Sequence, residues 1–331
     1  GPHRRIAMTP KTAVRPEEKN TSDLGAPLYV AWQITNECNL ACLHCIEESG
    51  PGKAFKDELT TAQALGIIDQ LVKAEVPYVS FSGGEPMVRP DFFTLVERIT
   101  KGGVGLKVET NGHYLTKENC KRFKDLGIKA VQVSLDGATP ASFNKMRVNG
   151  RFDAALQGIK NLREAGVPIE INFVPAKFNI HEIGKAVDLA HEIGAYSFYT
   201  GKLMYTGNAV RTWGITAPDE KDYPQYFATL KEKCDEYAGR MRVYYHEMGL
   251  LDELRYRLLN PAALFIVIPN GKVKLINALP FICGDLRKDS LGEVWVNFQQ
   301  AWKSPMVSAF IDRLAEDPSI VSRLHQLEEA L

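Results

Sequence analysis

The chain has 331 residues, 45% of them apolar and 24% charged, enough to bury a sizeable core and too apolar for general disorder. Forty Lys plus Arg balance forty Asp plus Glu, so no net field draws the chain to a nucleic-acid backbone or an anionic lipid surface. The apolar run 264–268, seven residues long with the two alanines before it, falls far short of the roughly 18 residues a bilayer span needs, so no membrane span is expected.

In chain order, residues 1–25 read as a flexible N-terminal segment. Residues 26–210 alternate β-branched or aromatic runs with amphipathic stretches, predicting six strands at 28–34, 78–81, 106–109, 130–135, 169–174 and 196–203. The stretches between carry helical spacing, as in Leu65, Ile68, Leu71 and in Phe92, Leu95, Ile99. Four of the five run into glycine before the next strand, at Gly102-Gly103, Gly127, Gly166 and Gly194, where a left-handed cap costs least. The first runs into Val76-Pro77 instead. Strands joined by crossover helices are parallel and right-handed, so the predicted class is α/β, either curled toward a barrel or wound as an open sheet. In both, reactive groups belong on loops after strand C-termini.

Residues 211–260 read as a helical linker region, broken at Asn260-Pro261, and 261–331 as a small C-terminal unit. Asn270-Gly271 between the apolar runs 264–268 and 272–276 predicts a hairpin, and 291–302 a helix. Ile320, Leu324 and Leu327 place a terminal helix or a frayed end over 319–331.

The six cysteines form a tight triplet, Cys38, Cys42 and Cys45, plus Cys120, Cys234 and Cys283. That is a poor disulfide framework and fits a reducing cytoplasm. The triplet directly follows the first strand in Thr35-Asn-Glu-Cys38-Asn-Leu-Ala-Cys42-Leu-His-Cys45. Three thiolates in one loop can hold a four-iron cluster with one iron open to another ligand. Structural zinc, which usually takes four ligands in two spaced pairs, is the competing reading, and three buried core cysteines is another.

The Cys-x3-Cys-x2-Cys spacing after a first βα strand resembles the radical S-adenosylmethionine (radical SAM) superfamily. The resemblance implies a partial (β/α)6 barrel holding one [4Fe-4S] cluster on Cys38, Cys42 and Cys45, with SAM on its open iron. His44, beside Cys45, sits where relatives place a residue next to the adenine. Ser82-Gly83-Gly84-Glu85-Pro86 resembles the family segment that meets the methionine ammonium. Glu109-Thr-Asn111-Gly112 and Ser134-Leu-Asp136-Gly137 resemble segments facing the methionine and ribose, and Arg147 falls where relatives pair an Arg with the SAM carboxylate. Asn172, Asn179 and Lys202 are expected in a pocket wall. Gly284 to Trp295, within 272–295, is similar to the SPASM/Twitch extension of radical SAM maturases. Cys283 is the sole cysteine there, so that extension is expected to lack auxiliary clusters, with Phe281, Leu286, Val294 and Trp295 packing in their stead over the barrel mouth.

The implied function is reductive cleavage of SAM to a 5′-deoxyadenosyl radical that takes hydrogen from a peptide or a cofactor or natural-product precursor, with a flavodoxin or ferredoxin as electron donor. Epimerisation or decarboxylation of a small molecule stays open, with Cys120, Cys234 or Cys283 as hydrogen donor in the former. A non-catalytic iron–sulfur or zinc scaffold is the reading of a different class.

Overall fold

A computed structural model of the chain describes residues 24–321, 329 and 330. The first stretch runs β1 (Tyr29–Thr35), α1 (Thr61–Lys73), β2 (Tyr78–Gly83), α2 (Phe92–Lys101), β3 (Gly105–Thr110), α3 (Lys117–Leu126), β4 (Ala130–Ser134), α4 (Pro140–Met146), α5 (Phe152–Ala165), β5 (Ile169–Phe173), α6 (Ile183–Glu192) and β6 (Ser197–Thr200). It continues through α7 (Asn208–Thr216), α8 (Tyr223–Glu236), β7 (Arg242–Tyr245), α9 (Leu250–Leu259), β8 (Leu264–Val267), β9 (Lys272–Lys274), β10 (Phe281–Asp285), α10 (Leu291–Ala301), α11 (Pro305–Glu316) and β11 (Glu329–Ala330). The class is α/β with parallel strands alternating with helices, as expected.

Two compact units interleave along the chain. One comprises Leu40–Cys45 and Glu109–Gly249, and the other the described parts of residues 14–39, Ile46–Val108 and Leu250–Leu331. In the first, β4, β5, β6 and β7 pair in parallel, Val131 opposite Ile169, Asn172 opposite Tyr199 and Tyr199 opposite Tyr244. One sheet face carries Val131, Val133, Ile171, Phe173, Phe198 and Val243, all buried. The side chains that alternate with them, Gln132, Ser134, Glu170, Asn172 and Tyr199, are polar and half-buried. Parallel strands are usually apolar on both faces. Here one face is built for a polar environment.

In the second unit the order is β11-β10-β9-β8-β1-β2-β3. β1 pairs in parallel with β2 and, on its other edge, with β8. Trp32, Phe81 and Phe92 stack edge to face, centroids 5.6 and 6.5 Å apart, and pin β1 and β2 to α2. The expected hairpin forms as β8 and β9, with Gly271 at φ 87° in its turn. β8 thus extends the sheet edge-on from β1. Their core is aromatic, Phe265, Trp295 and Phe298 lying within 6.1 Å of one another and Phe281 against Phe310 at 5.6 Å. Phe281, Leu286, Val294 and Trp295 are all buried. α10 opens with a Ser290/Glu293 capping box, which satisfies backbone donors at both ends of its first turn.

Several expectations are corrected. The stretch 211–260 is not wholly helical, because Arg242–Tyr245 forms a further parallel strand on β6. Four residues are too few for periodicity to separate strand from helix. β6 stops at Thr200 instead of 203, and β9 at Lys274 instead of 276. Of the tail, 322–328 and 331 lie outside the described residues, and Glu329–Ala330 is a strand parallel to β10. The flexible segment expected over 1–25 lies almost wholly outside them too.

Gly103, Gly127, Gly166 and Gly194 all take positive φ, as the glycine caps predicted. After α1 the left-handed residue is Glu75, φ 55°, whose N–H still donates to Val72 O at 3.0 Å. A side chain there costs about 1–2 kcal/mol, more than the roughly 0.5–1 kcal/mol of chain entropy that glycine adds. Glu75→Gly is therefore expected to leave stability unchanged or raise it by up to about 1 kcal/mol in urea denaturation. A loss above that size would contradict this account of the turn.

Candidate active site

The sequence-predicted site residues fall in both units, and each set has its own scaffold. In the unit of β1 and β2, the segment after β1 is held on three sides. Gly84 N–H donates to Thr35 O at 2.8 Å and Glu85 N–H to Glu37 O at 2.9 Å. A Cβ on Gly83 would meet Thr35 O at 2.1 Å and one on Gly84 would meet Glu37 O at 2.2 Å. The glycine pair is thus required for close backbone approach, and at Gly83 also for φ 131°. Glu85, wholly buried, accepts from Met87 N–H at 3.2 Å and caps the turn Pro86–Val88.

Below that turn Arg89 donates to Ile34 O at 3.0 Å and grips Asp91 through two bonds of 2.7 Å. Burial pushes the Asp91 carboxyl up, but its bonds from Arg89 and Thr61 win and hold it below its ordinary value. Glu58 accepts from Thr35 Oγ1, Asn36 N–H and Phe55 N–H at 2.9–3.2 Å. The Glu37 carboxylate accepts from Gly52 and Ala54 N–H, and Cys38 N–H donates to Gly50 O at 3.2 Å. Cys38 therefore emerges from a segment whose backbone is already engaged. Glu37, Glu58 and Arg89 leave no local spacing signal in the sequence, because each acts by bonding to backbone groups of the loop and of β1.

In the other unit the loop Leu40–Cys45 is clamped from two directions. Ala41 and Leu43 N–H donate to Val148 and Met146 O, both at 2.9 Å. From α7, Asn208 N–H donates to Cys45 O at 2.9 Å, Asn208 Nδ2 to Cys42 O at 3.0 Å and Thr212 Oγ1 to Leu43 O at 2.7 Å. Asn208 and Thr212 were missed from sequence, although their i, i+4 spacing on a short helix after Gly207 is the signal that could have found them.

Asp136 has no exposed surface. Its Oδ2 takes Arg147 Nε at 2.8 Å and His44 Nε2 at 3.1 Å, and its Oδ1 accepts from Val174 N–H at 2.8 Å. Burial alone would push this carboxyl up; Arg147, His44 and the Val174 N–H outweigh it and lower it to about 2. Arg147 also points Nη1 at Cys42 Sγ, 3.5 Å away. Arg147 follows the last turn of α4 and is buried, as is His44.

Asn111 is buried and accepts from His113 N–H at 3.1 Å. Burial lowers the His113 pKa, and its Nε2 accepts from Arg151 N–H at 3.0 Å, which leaves the proton on Nδ1 toward Asn111 O. Ser134 ends β4 half-buried, opposite Asn172. Asn179 is not pocket wall: it is wholly buried and donates to Asp136 O and Val174 O at 3.1 and 3.0 Å, stapling the ends of β4 and β5. Lys202 pairs with Glu220 at 3.3 Å. Burial pushes the thiols of Cys120, Cys234 and Cys283 up to about 12, 11 and 12.

Residues 32–190 match the family model of the radical SAM superfamily. The chain is 29% identical over 293 residues to the AdoMet-dependent heme synthase of Methanosarcina barkeri, covering 82% of this chain and 83% of that protein. It is 37% identical over 211 residues to mycofactocin maturase MftC of Mycobacterium tuberculosis, covering 63% of this chain and 53% of the maturase. This chain carries a radical SAM domain. Its fold is like that of Streptococcus suis SuiB, solved bound to S-adenosylmethionine, with TM-score 0.68 and 15% identity over 87% of this chain and 68% of SuiB.

The radical SAM domain belongs to a family of enzymes whose cofactors are a [4Fe-4S] cluster and SAM. Among the described residues no three His, Cys, Asp or Glu side chains are already grouped as ligands of one metal ion. The donor chemistry nonetheless fits: three thiols from one short loop, with a guanidinium beside one of them. Among the described residues no helix is long and apolar enough to cross a membrane.

Gly84→Ala is expected to cost about 2 kcal/mol or more in denaturant unfolding, since its Cβ can only be placed by separating Glu37 from the loop. The Asp136 pKa is depressed in the folded state, so its contribution is present above its ordinary 3.8 and lost as pH falls toward about 2. The stability gap between wild type and Asp136→Asn should accordingly narrow across that window in acid titrations. A constant gap would show that the carboxylate charge is not what matters.

Proposed function

We propose that the chain is a radical SAM enzyme in which Cys38, Cys42 and Cys45 ligate a single [4Fe-4S] cluster, and that it takes hydrogen from a peptide or from a cofactor or natural-product precursor. The carrying observation is the order of the motifs on the strands. The triplet follows β1, Gly83-Gly84-Glu85 closes β2, Asn111 follows β3, and Ser134 ends β4 with Asp136 just beyond it. When bound, the cluster supplies the electron that splits SAM into methionine and a 5′-deoxyadenosyl radical.

The chain's own residues bind and orient. Backbone bonds to Gly50, Met146, Val148, Asn208 and Thr212 engage the loop's amides and carbonyls, so ligation falls to its thiols. Arg147 sets positive charge against Cys42. Gly83, Gly84, Glu85, Asn111, Ser134 and Arg147 are assigned to SAM. A peptide substrate is supported by the fold's likeness to SuiB, which is also solved with its precursor peptide SuiA. A cofactor-type substrate is supported by the similarity to the heme synthase. A flavodoxin or ferredoxin in a reducing cytoplasm would supply the electron. Since the chain spans about half the length of the mycofactocin maturase, the activity and substrate of the whole protein stand as part of this proposal.

The test is anaerobic reconstitution followed by iron analysis and a 5′-deoxyadenosine assay with dithionite. About four irons per chain are expected, falling to none when Cys38, Cys42 and Cys45 are all replaced by Ala, with 5′-deoxyadenosine abolished. About eight irons, with about four surviving in the triple variant, would show a second cluster and defeat the single-cluster assignment. A colourless protein loaded with zinc would defeat the enzyme reading itself.

A further inference from the structure

The segments that grip the loop Leu40–Cys45 are basic. Two of its amides bond Met146 O and Val148 O beyond α4, and its carbonyls are held by Asn208 and Thr212 of α7. Across 138–152, 174–180 and 199–218 there is not one Asp or Glu, in a chain whose charges balance overall, forty against forty. The same stretches carry Lys145, Arg147, Arg151, Lys177, Lys202 and Arg211. Arg147 is buried against Asp136, and Lys202 pairs with Glu220. Lys145, Arg151, Lys177 and Arg211 are exposed. Of the acids at the borders of these stretches, Asp219 pairs with Lys221 at 3.9 Å and Asp153 is exposed, so positive charge stays in excess.

Contacts join these four cations into one band beside the loop. Lys145 lies over the Phe178 ring, 4.6 Å from its centroid. The neighbouring Lys177 reaches α7, its Nζ donating to Gly214 O at 2.9 Å and its N–H to Thr216 O at 2.8 Å. Arg211 stands on α7 between Asn208 and Thr212. Arg151 follows Gly150, where a Cβ would meet Leu40 Cδ1 at 3.3 Å. Apolar side chains sit among the cations, Val148 between Lys145 and Arg151 and Ile215 next to Gly214. They are 37% and 54% exposed, two of the three large apolar side chains that the described part of this unit exposes. Exposed apolar groups set among charges are the make-up of a docking surface. The loop itself adds no charge, and Glu47 and Glu48, the next acids along the chain, are half-buried.

We propose that this basic band is the docking surface for an acidic protein that carries single electrons and delivers one to the cluster. The inference rests on the radical SAM reading and adds to it the site of contact with the electron donor. One electron leaves the carrier and reduces the cluster by one; no bond or proton need move. Such a carrier has only to approach the loop that bears the thiols, and the band is bonded to that loop's backbone. A substrate peptide must instead reach SAM at the open iron, so it is the weaker occupant. Opposite charge speeds protein encounters by about 10-fold to 1,000-fold, and salt suppresses the gain. Electron-transfer pairs meet over small interfaces, which suits a patch of two apolar residues and four cations.

The experiment compares reconstituted wild type with the triple variant Lys145→Glu, Arg151→Glu, Lys177→Glu. A flavodoxin serves as the acidic carrier, and dithionite as a small reductant that needs no docking surface. Two quantities are measured: the dissociation constant for oxidised flavodoxin as a function of ionic strength, and the rate of cluster reduction by reduced flavodoxin or by dithionite. At low salt the variant should bind flavodoxin at least about tenfold more weakly, with a flatter salt dependence, and be reduced by it correspondingly more slowly. Its iron content and its reduction by dithionite should match wild type. Equal flavodoxin affinity and equal flavodoxin-driven rates in the two proteins would overturn the docking surface. A variant that loses affinity for a Glu-rich peptide while keeping that for flavodoxin would overturn it too, and would make the band a peptide site. Should the triple variant fail to fold, Lys145→Gln with Arg151→Gln leaves the Lys177 bond to α7 intact and decides by the same measurements, with a loss of about threefold expected. Wild type that takes up cluster and is reduced by dithionite keeps the radical SAM reading whichever way the variants fall; wild type that takes up no iron removes that reading and the inference with it.

Discussion

A fully buried carboxylate is tolerable only where its charge is answered, and Asp136 is answered from every side. Arg147 arrives from the end of α4, His44 from the cysteine loop and the Val174 N–H from the end of β5. Three segments distant in sequence are thereby brought to one atom group. The same loop is fixed through its backbone by Met146, Val148 and α7. Removing the charge would take its carboxylate from the buried Arg147 guanidinium, which costs more than the pair contributes. The constraint accounts for Asn179 and Glu182 as well, two buried polar residues that touch none of the assigned ligand contacts and hold the turn on which Asp136 sits.

Much of the scaffold was legible in the sequence because its signals are local. Each strand of β1 to β6 is a run of β-branched or aromatic residues, and each glycine that takes positive φ before a strand is a one-residue signal. Asn270-Gly271 announced the hairpin in the same way. β7 was not legible, since four residues cannot display a period, and neither was the left-handed Glu75, whose conformation is imposed by the turn and not by its own preference.

The site divides along the same line. The cysteine spacing and the Gly83-Gly84 pair are contiguous in sequence and were found. Their physical reason was not, because the contact that requires the glycines is with Thr35 and Glu37, nearly fifty residues earlier in the chain. His44, Asp136 and Arg147 were each named separately, while their mutual bonding spans sequence distances no motif encodes. The polar alternation of Gln132, Ser134, Glu170 and Asn172 was visible as residues, but only pairing of β4 with β5 turns it into one polar face.

The three remaining cysteines bear on what the radical chemistry can end in. Epimerisation needs an S–H that returns a hydrogen atom, and thiols pushed up to about 11 or 12 stay protonated, so protonation is no obstacle. Access is. Cys120 is packed inside α3 without exposed surface, Cys283 lies buried in β10, and the Cys234 thiol donates to Val243 O at 3.1 Å. A hydrogen donor must meet the substrate carbon directly, and burial closes that route for Cys120 and Cys283 but not for the half-buried Cys234.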